Sequence, residues 1–218
     1  SGYAAAFTTS PINNTNKTAV AFNITAAEIG ATYAYSITSS GGGTPVTGSG
    51  TVSAATQNVT GVDLSSLTDG TYTLSVTLTD TAGNAGSATT GTASVDTAIP
   101  TGYAVAFTTS PINNANKTAG AIQMTSAEVG TTYAYSITSS GGGTPVTGSG
   151  TVSAGTQNVV GIDLSGLTDG TLTASVTLTD TSGNAGSAVT GTVLKDATLP
   201  SGYAAAFTTS PINNTNKT

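Results

Sequence analysis

Thr71-Tyr72-Thr73-Leu74-Ser75-Val76-Thr77-Leu78-Thr79-Asp80 is the stretch whose reading decides the fold. Tyr72, Leu74, Val76 and Leu78 alternate with Thr and Ser. Period two over ten residues is the pattern of a half-buried β-strand, with apolar side chains inward and hydroxyls outward. Asp69-Gly70 just before it is a turn dipeptide. The pattern returns 100 residues later, with Leu172, Ala174, Val176 and Leu178 on the inner face.

The same rule extends outward from that strand. Tyr3, Ala5 and Phe7 alternate with small residues until Pro11 stops them. Val20, Phe22 and Ile24 share a face, as do Ile122 and Met124 in the later copy. Tyr33, Tyr35 and Ile37 share another. Gly41-Gly42-Gly43 breaks the chain, and Val46 to Val52 reads as a Gly-rich strand or hairpin. Thr60, Val62 and Leu64 are expected to line a face, as are Val160, Ile162 and Leu164. A last strand runs from about Ser87 to Val95, interrupted by Gly91. No segment carries a helical period of useful length. Seven short strands with frequent turn signals predict an all-β fold, an antiparallel immunoglobulin-like β-sandwich. A β-solenoid would repeat every 20–30 residues, and no similarity shorter than 100 residues is present.

Residues 1–100 and 101–200 are one sequence written twice; 24 of the 100 positions differ, leaving 76 identical. Ser201–Thr218 repeats Ser1–Thr18 without a change. A fixed period marks an array. The domains expected are 1–100 and 101–200, with 201–218 as the first strand of a third repeat. If that segment instead closes the repeat before it, the division is 19–118 and 119–218. The chain starts and stops inside the pattern, as a piece of a longer array would. Val95-Asp96-Thr97-Ala98-Ile99-Pro100 and Lys195-Asp196-Ala197-Thr198-Leu199-Pro200 are the junctions. They are short, and Pro stiffens each by fixing its own backbone and restricting the residue before it. Tandem sandwiches stacked end to end follow.

Composition narrows the function. Charged residues are 6% of the chain, against roughly 25% in ordinary soluble domains. Four Lys stand against ten acids, for a net charge of −6, and Arg is absent. Nucleic acid needs Lys and Arg to neutralise phosphate, so it is not an expected partner. Anionic membranes are disfavoured for the same reason, and no apolar run approaches the ~20 residues of a membrane span. No signal peptide is visible. With no Cys, no disulfide can staple the repeats. Without His or Cys the usual nucleophile–base pairs cannot be built, so the chain is not expected to be an enzyme. Asp63 and Asp69 are read as turn caps rather than an acid–base pair. The Asn-x-Thr triplets at Asn13, Asn16, Asn23 and Asn58 arise easily in so Thr-rich a chain. Lys17 lies in a polar loop, a poor place for an isopeptide cross-link.

Leu67-Thr68-Asp69-Gly70-Thr71, Val76-Thr77-Leu78-Thr79-Asp80-Thr81-Ala82-Gly83-Asn84 and the Asp-x-x-x-Pro junction resemble the bacterial immunoglobulin-like repeats, of Big/Bap type, of giant biofilm and RTX surface adhesins. Ser10-Pro11-Ile12-Asn13 and the Gly-rich stretch Ser39–Gly50 are similar to that family's extender repeats. The resemblance implies a tandem spacer, bacterial, exported to the cell surface or secreted, and often rigidified by calcium. Relatives often carry Asp where this chain has Thr8-Thr9-Ser10.

Three expectations follow. The first is a structural spacer, with neighbouring repeats of the same chain as its partners. Its alternative is a binding surface, because Thr-rich faces such as Thr71, Thr73, Thr77 and Thr79 can bind ice or sugars, although Thr also favours strands for its own sake. The second is that Ser201–Thr218 is held by the end of the second repeat or by a neighbouring molecule. Its identity with 1–18 would permit head-to-tail self-association. The third is a calcium ion at the junction. Counting strands down and up brings Asp96, Glu128, Asp180 and Asn184 to one end, an oxygen set that suits calcium. Glu28, Asp80 and Asn84 would form a weaker copy.

Overall fold

The computed structural model describes residues 2–208, 210–215 and 217. Period-two stretches become strands in both full repeats. The first repeat runs β1 (Ala4–Phe7), β2 (Val20–Thr25), β3 (Thr32–Ser39), β4 (Val46–Thr51), β5 (Gln57–Val62), β6 (Gly70–Thr79) and β7 (Thr89–Val95). The second runs β8 (Ala104–Phe107), β9 (Gly120–Thr125), β10 (Thr132–Ser139), β11 (Val146–Thr151), β12 (Gln157–Ile162), β13 (Gly170–Thr179) and β14 (Val189–Lys195). Each repeat is an immunoglobulin-like sandwich of one three-stranded sheet, β1-β2-β5 or β8-β9-β12, and one four-stranded sheet, β4-β3-β6-β7 or β11-β10-β13-β14. Every pairing between these strands is antiparallel; isolated parallel bridges join Ile12 to Val95 and Ile112 to Lys195. No helix among the described residues is long and apolar enough to cross a membrane.

The cores follow from the alternation. Tyr72, Leu74, Val76 and Leu78 of β6 face Val20, Phe22 and Ile24 of β2, and all are buried. Phe22 meets Tyr35 edge to face, with ring centroids 5.0 Å apart, the arrangement aromatic quadrupoles prefer. The second core keeps the plan with other volumes: Ile122, Met124, Leu172 and Ala174 replace Phe22, Ile24, Tyr72 and Leu74. Gly91 has a packing reason. β7 crosses β1 there, and a Cβ on Gly91 would lie 2.5 Å from the Ala5 carbonyl oxygen.

Two expectations change. Thr60 does not lie on the inner face with Val62: it is exposed, and Val160 in the second repeat is 73% exposed. A bulge between Val59 and Val62 shifts the register against β2, and Gly61 takes the positive φ it requires. Thr60 therefore turns outward and Val62 inward. The other change concerns the last segment. Residues 201–208 form no strand, and Tyr203 and Phe207 are each 83% exposed. The second repeat does not bury them, because its first-strand place is already filled by β8, paired with β9.

Candidate functional site

Strand direction gives each sandwich two ends. The start of β1, the β2–β3 loop and the β6–β7 loop lie at the upper end. The β1–β2 loop, the β5–β6 loop and the tail of β7 lie at the lower end. At the upper end of the first repeat these segments enclose a cleft of about 280 Å³, lined by Tyr3, Glu28, Ala31, Asp80, Asn84 and Gly86 among others. The strand count thus placed Glu28, Asp80 and Asn84 around one cleft.

Sequence fixes the turn that carries Asp80. Its Oδ1 accepts the backbone N–H groups of Ala82 (2.9 Å) and Asn84 (2.8 Å), and its Oδ2 accepts Asn84 Nδ2–H at 2.8 Å. Those bonds, from the Asn84 side chain above all, hold the Asp80 carboxyl below its ordinary range. The second repeat builds the same turn: Asp180 accepts Ser182 N–H, Asn184 N–H and Asn184 Nδ2–H, each at 2.8 Å. Burial pushes the Asp180 carboxyl up, and the hydrogen bonds from Asn184, Ser182 and Gly183 outweigh it, so the group ends lowered.

The two turns differ in what reaches them. Asn84 is exposed, whereas Asn184 is fully buried at 0%. The lower end of the first repeat covers it. Asn14 N–H donates to Asn184 Oδ1 at 2.9 Å. Asn13 Nδ2–H donates to the Ser182 carbonyl at 2.8 Å. Asn184 Nδ2–H donates to the Asp96 carbonyl at 2.9 Å. Asn13 itself is only 8% exposed. Pro100 is buried, and its carbonyl lies where a Cβ on Gly186 would be, 2.4 Å away, whereas Gly86 has no such neighbour. Tyr103 is buried under this cover while Tyr3 stays half-buried.

Lower down, Asp69 ties the linker to its own repeat. Its carboxylate accepts Thr97 N–H at 2.7 Å and Thr97 Oγ1–H at 2.9 Å, with Lys17 Nζ at 3.6 Å. Asp169 accepts Thr198 Oγ1–H at 2.7 Å in the same way. Lys195 stands where the first repeat has Val95; it is buried, donates to the Leu167 carbonyl and lies 3.7 Å from Asp169.

The arrangement bears on the calcium expectation. Asp96, Asp180 and Asn184 do come together, but through the Asp96 carbonyl and not its carboxylate, whose Oδ1 accepts Ala98 N–H at 3.0 Å. Glu128 is exposed and completes no cluster with them. Among the described residues no three Asp, Glu, His or Cys side chains gather as a metal site would require. Asn184 Oδ1 is committed to Asn14, and both Asp180 oxygens to their own turn. This donor set, as arranged, does not fit a calcium ion, which needs 6–8 oxygens. In this arrangement the carboxylates of Asp96, Glu128 and Asp180 do not gather at one point.

Sequence reasoning missed Asn13 and Asn14 as contact residues: Asn13 entered it as the start of an Asn-x-Thr triplet and as part of the Ser10–Asn13 resemblance, and neither assigns it a partner. The available signal was recurrence: Ser-Pro-Ile-Asn-Asn appears at 10–14, 110–114 and 210–214. Asp69 was read as a turn cap and instead anchors the linker; Asp63 does cap its turn, accepting Ser65 N–H at 2.8 Å.

Residues 8–97 match the family described as bacterial Ig-like domain. Among solved structures, a tetra-tandem repeat from the extending region of a large adhesion protein is 27% identical over 90% of this chain and 50% of its own, with a TM-score of 0.39. A segment of a 1.5-MDa bacterial ice-binding adhesin is 24% identical, covering 89% of this chain and 65% of its own, with a TM-score of 0.47. Fibronectin(III)-like modules of Clostridium thermocellum CbhA are 14% identical over 93% of this chain and all of theirs, with a TM-score of 0.46. The chain therefore spans between half and about two-thirds of the length of the two adhesin chains. No match is found among curated proteins.

Proposed function

We propose that the chain is a spacer segment of a large bacterial surface adhesin, its repeats held end to end to project a binding domain carried elsewhere; residues 8–97 match the bacterial Ig-like domain family, and the second repeat restates that sequence. The observation that carries this is the lower-to-upper contact of Asn13, Asn14 and Asp96 with the Ser182–Asn184 turn. Substantial strand packing stays within each repeat, so the repeats meet through their ends and not their faces. A junction made this way adds length with every copy. A non-catalytic role agrees with a chain that has neither His nor Cys, and an exported, cell-surface location agrees with the family.

Backbone relaxation by NMR tests the spacer. Two repeats that behave as one elongated body share a single anisotropic tumbling time. Separate tumbling times for residues of β1–β7 and β8–β14 would remove the spacer reading.

A second reading has one observation in its favour. The outer face of the four-stranded sheet is a registered field of hydroxyls: Thr51, Thr32 and Thr79 in one row, Thr47, Ser36, Ser75 and Thr90 in another, Thr38, Thr73 and Thr92 in a third. No charged side chain interrupts those four strands. Ice or a glycan could be the ligand of such a face. Inhibition of ice recrystallisation, or glycan capture, that disappears in a Thr32→Lys, Thr73→Lys variant would establish it; inactivity of the unaltered chain leaves the spacer alone.

A further inference from the structure

We propose that the upper end of each repeat is a socket for the Asn-Asn turn and linker of another repeat, closed by hydrogen bonds without a cation, and that the open socket of the first repeat takes such a lower end. This rests on the end-to-end spacer reading and adds to it the partner, the contact groups and the independence from metal.

The filled version is the junction between the two repeats. Its central group is the Asn184 amide. Nδ2 donates to Asp180 Oδ2 at 2.8 Å and to the Asp96 carbonyl at 2.9 Å, while Oδ1 accepts Asn14 N–H at 2.9 Å. One neutral side chain thus bridges a carboxylate of one repeat and a carbonyl of the other, the bridging a cation would otherwise perform. Buried polar groups at this contact are paired; no buried side-chain nitrogen or oxygen among the described residues lacks a partner.

The open version has the same parts. Tyr3, Glu28, Asp80, Asn84 and Gly86 are the same residue types as Tyr103, Glu128, Asp180, Asn184 and Gly186. The Asp80 turn closes at 2.8–2.9 Å without any covering repeat. The socket is preorganised, so filling it costs little ordering. Asn84 Oδ1 accepts no hydrogen bond among the described residues, and the cleft beside it stands open.

The complementary part is preorganised too. Asn16 Oδ1 accepts Asn13 N–H at 2.9 Å, and Asn116 Oδ1 accepts Asn113 N–H at 2.7 Å. Asn113-Asn114 and Asp196 therefore offer the same lower end that Asn13-Asn14 and Asp96 present to the second repeat. The fitting partner is a sandwich of this family with an Asn-Asn turn after its first strand and an Asp-x-x-x-Pro linker after its last.

The test adds one further copy of residues 1–100 ahead of Ser1. The chain has no Cys, so one exposed cysteine per repeat can be spin-labelled and the inter-repeat distances read by pulsed electron paramagnetic resonance. Narrow distributions across both junctions in chelator, unchanged by calcium, are expected. Asn84→Ala should abolish the narrow distribution across the added junction and leave the Asn184 junction intact. The 218-residue Asn84→Ala chain, melted alongside, reports whether the first repeat still folds; if it does not, Asn84→Asp removes the amide donor while keeping the turn's size. Narrowing that appears only with calcium overturns the cation-free clamp and leaves stacking in place. A broad added junction beside a narrow Asn184 junction overturns the open socket. Broad distributions at both, in either condition, overturn the socket and the spacer reading together.

Discussion

Asn184 and Asn84 close the same turn, and only one of them is reached by another repeat. Removing the buried amide strands the Asn14 N–H and the Asp96 carbonyl, and an unpaired buried group costs about 1–3 kcal/mol. Asn184→Ala should therefore lower the melting temperature of the second repeat by several degrees, and Asn84→Ala by less. Equal losses in a calorimetric melt would place the value of both residues in the turn and none in the junction. A second residue-scale result concerns a paired exchange. In the first repeat Tyr72 Oη–H donates to the Leu67 carbonyl at 3.3 Å. The second repeat has Leu172 in place of Tyr72, and Lys195, in place of Val95, donates to the Leu167 carbonyl instead. Lys195→Val alone should destabilise by about 1–3 kcal/mol, and Leu172→Tyr added to it should recover part of the loss. Strict additivity in the double-mutant cycle would mean the two positions do not share that carbonyl.

The turns and linkers carry the electrostatics at the scale of elements. Asp69 and Asp180 are pulled up by burial and more strongly down by hydrogen bonds, and Asp63, Asp80, Asp163 and Asp169 are lowered chiefly by the hydrogen bonds they accept. A carboxyl whose folded pKa lies below its unfolded value of 3.8 stabilises the fold above that value. The contribution is lost as pH falls through the folded pKa. Melting temperature should hold from neutral pH to about pH 5 and fall steadily below 3.8; a flat profile down to about pH 2 would show these bonds are not retained in solution. The strands themselves were legible because each needs only alternation, and β6 shows it over all ten residues. Gly91 looked like an interruption of β7 and is the place where β1 crosses it. A Cβ there overpacks against backbone that cannot yield, so Gly91→Ala and Gly191→Ala should each cost about 1–3 kcal/mol by urea unfolding. Thr60 was misplaced because a bulge adds one residue, and period-two counting cannot see an extra residue without a partner strand. The candidate site was half legible. Counting strands brought Glu28, Asp80 and Asn84 to one cleft, but counting cannot say whether an acid faces an ion or its own turn. Asn13 and Asn14 escaped because their partners lie in the other repeat, 169 and 170 positions away.

The whole molecule follows from where its contacts are. A lower end meets an upper end, the linker is pinned by Asp69 and closed by a buried Pro100, and strand packing stays inside each repeat. Low charge and a Thr-rich exterior suit a surface that stands in solvent. Length is then the property that copying changes. A ten-residue strand spans about 34 Å, and with its loops each repeat should add roughly 40 Å along the axis. Small-angle X-ray scattering measures that increment directly, on the 218-residue chain and on the same chain with one more copy of residues 1–100. End-to-end docking requires the maximum dimension to grow by roughly 40 Å while the cross-sectional radius stays that of one sandwich; a maximum dimension that barely grows while the cross-section widens would show repeats lying side by side and contradict it.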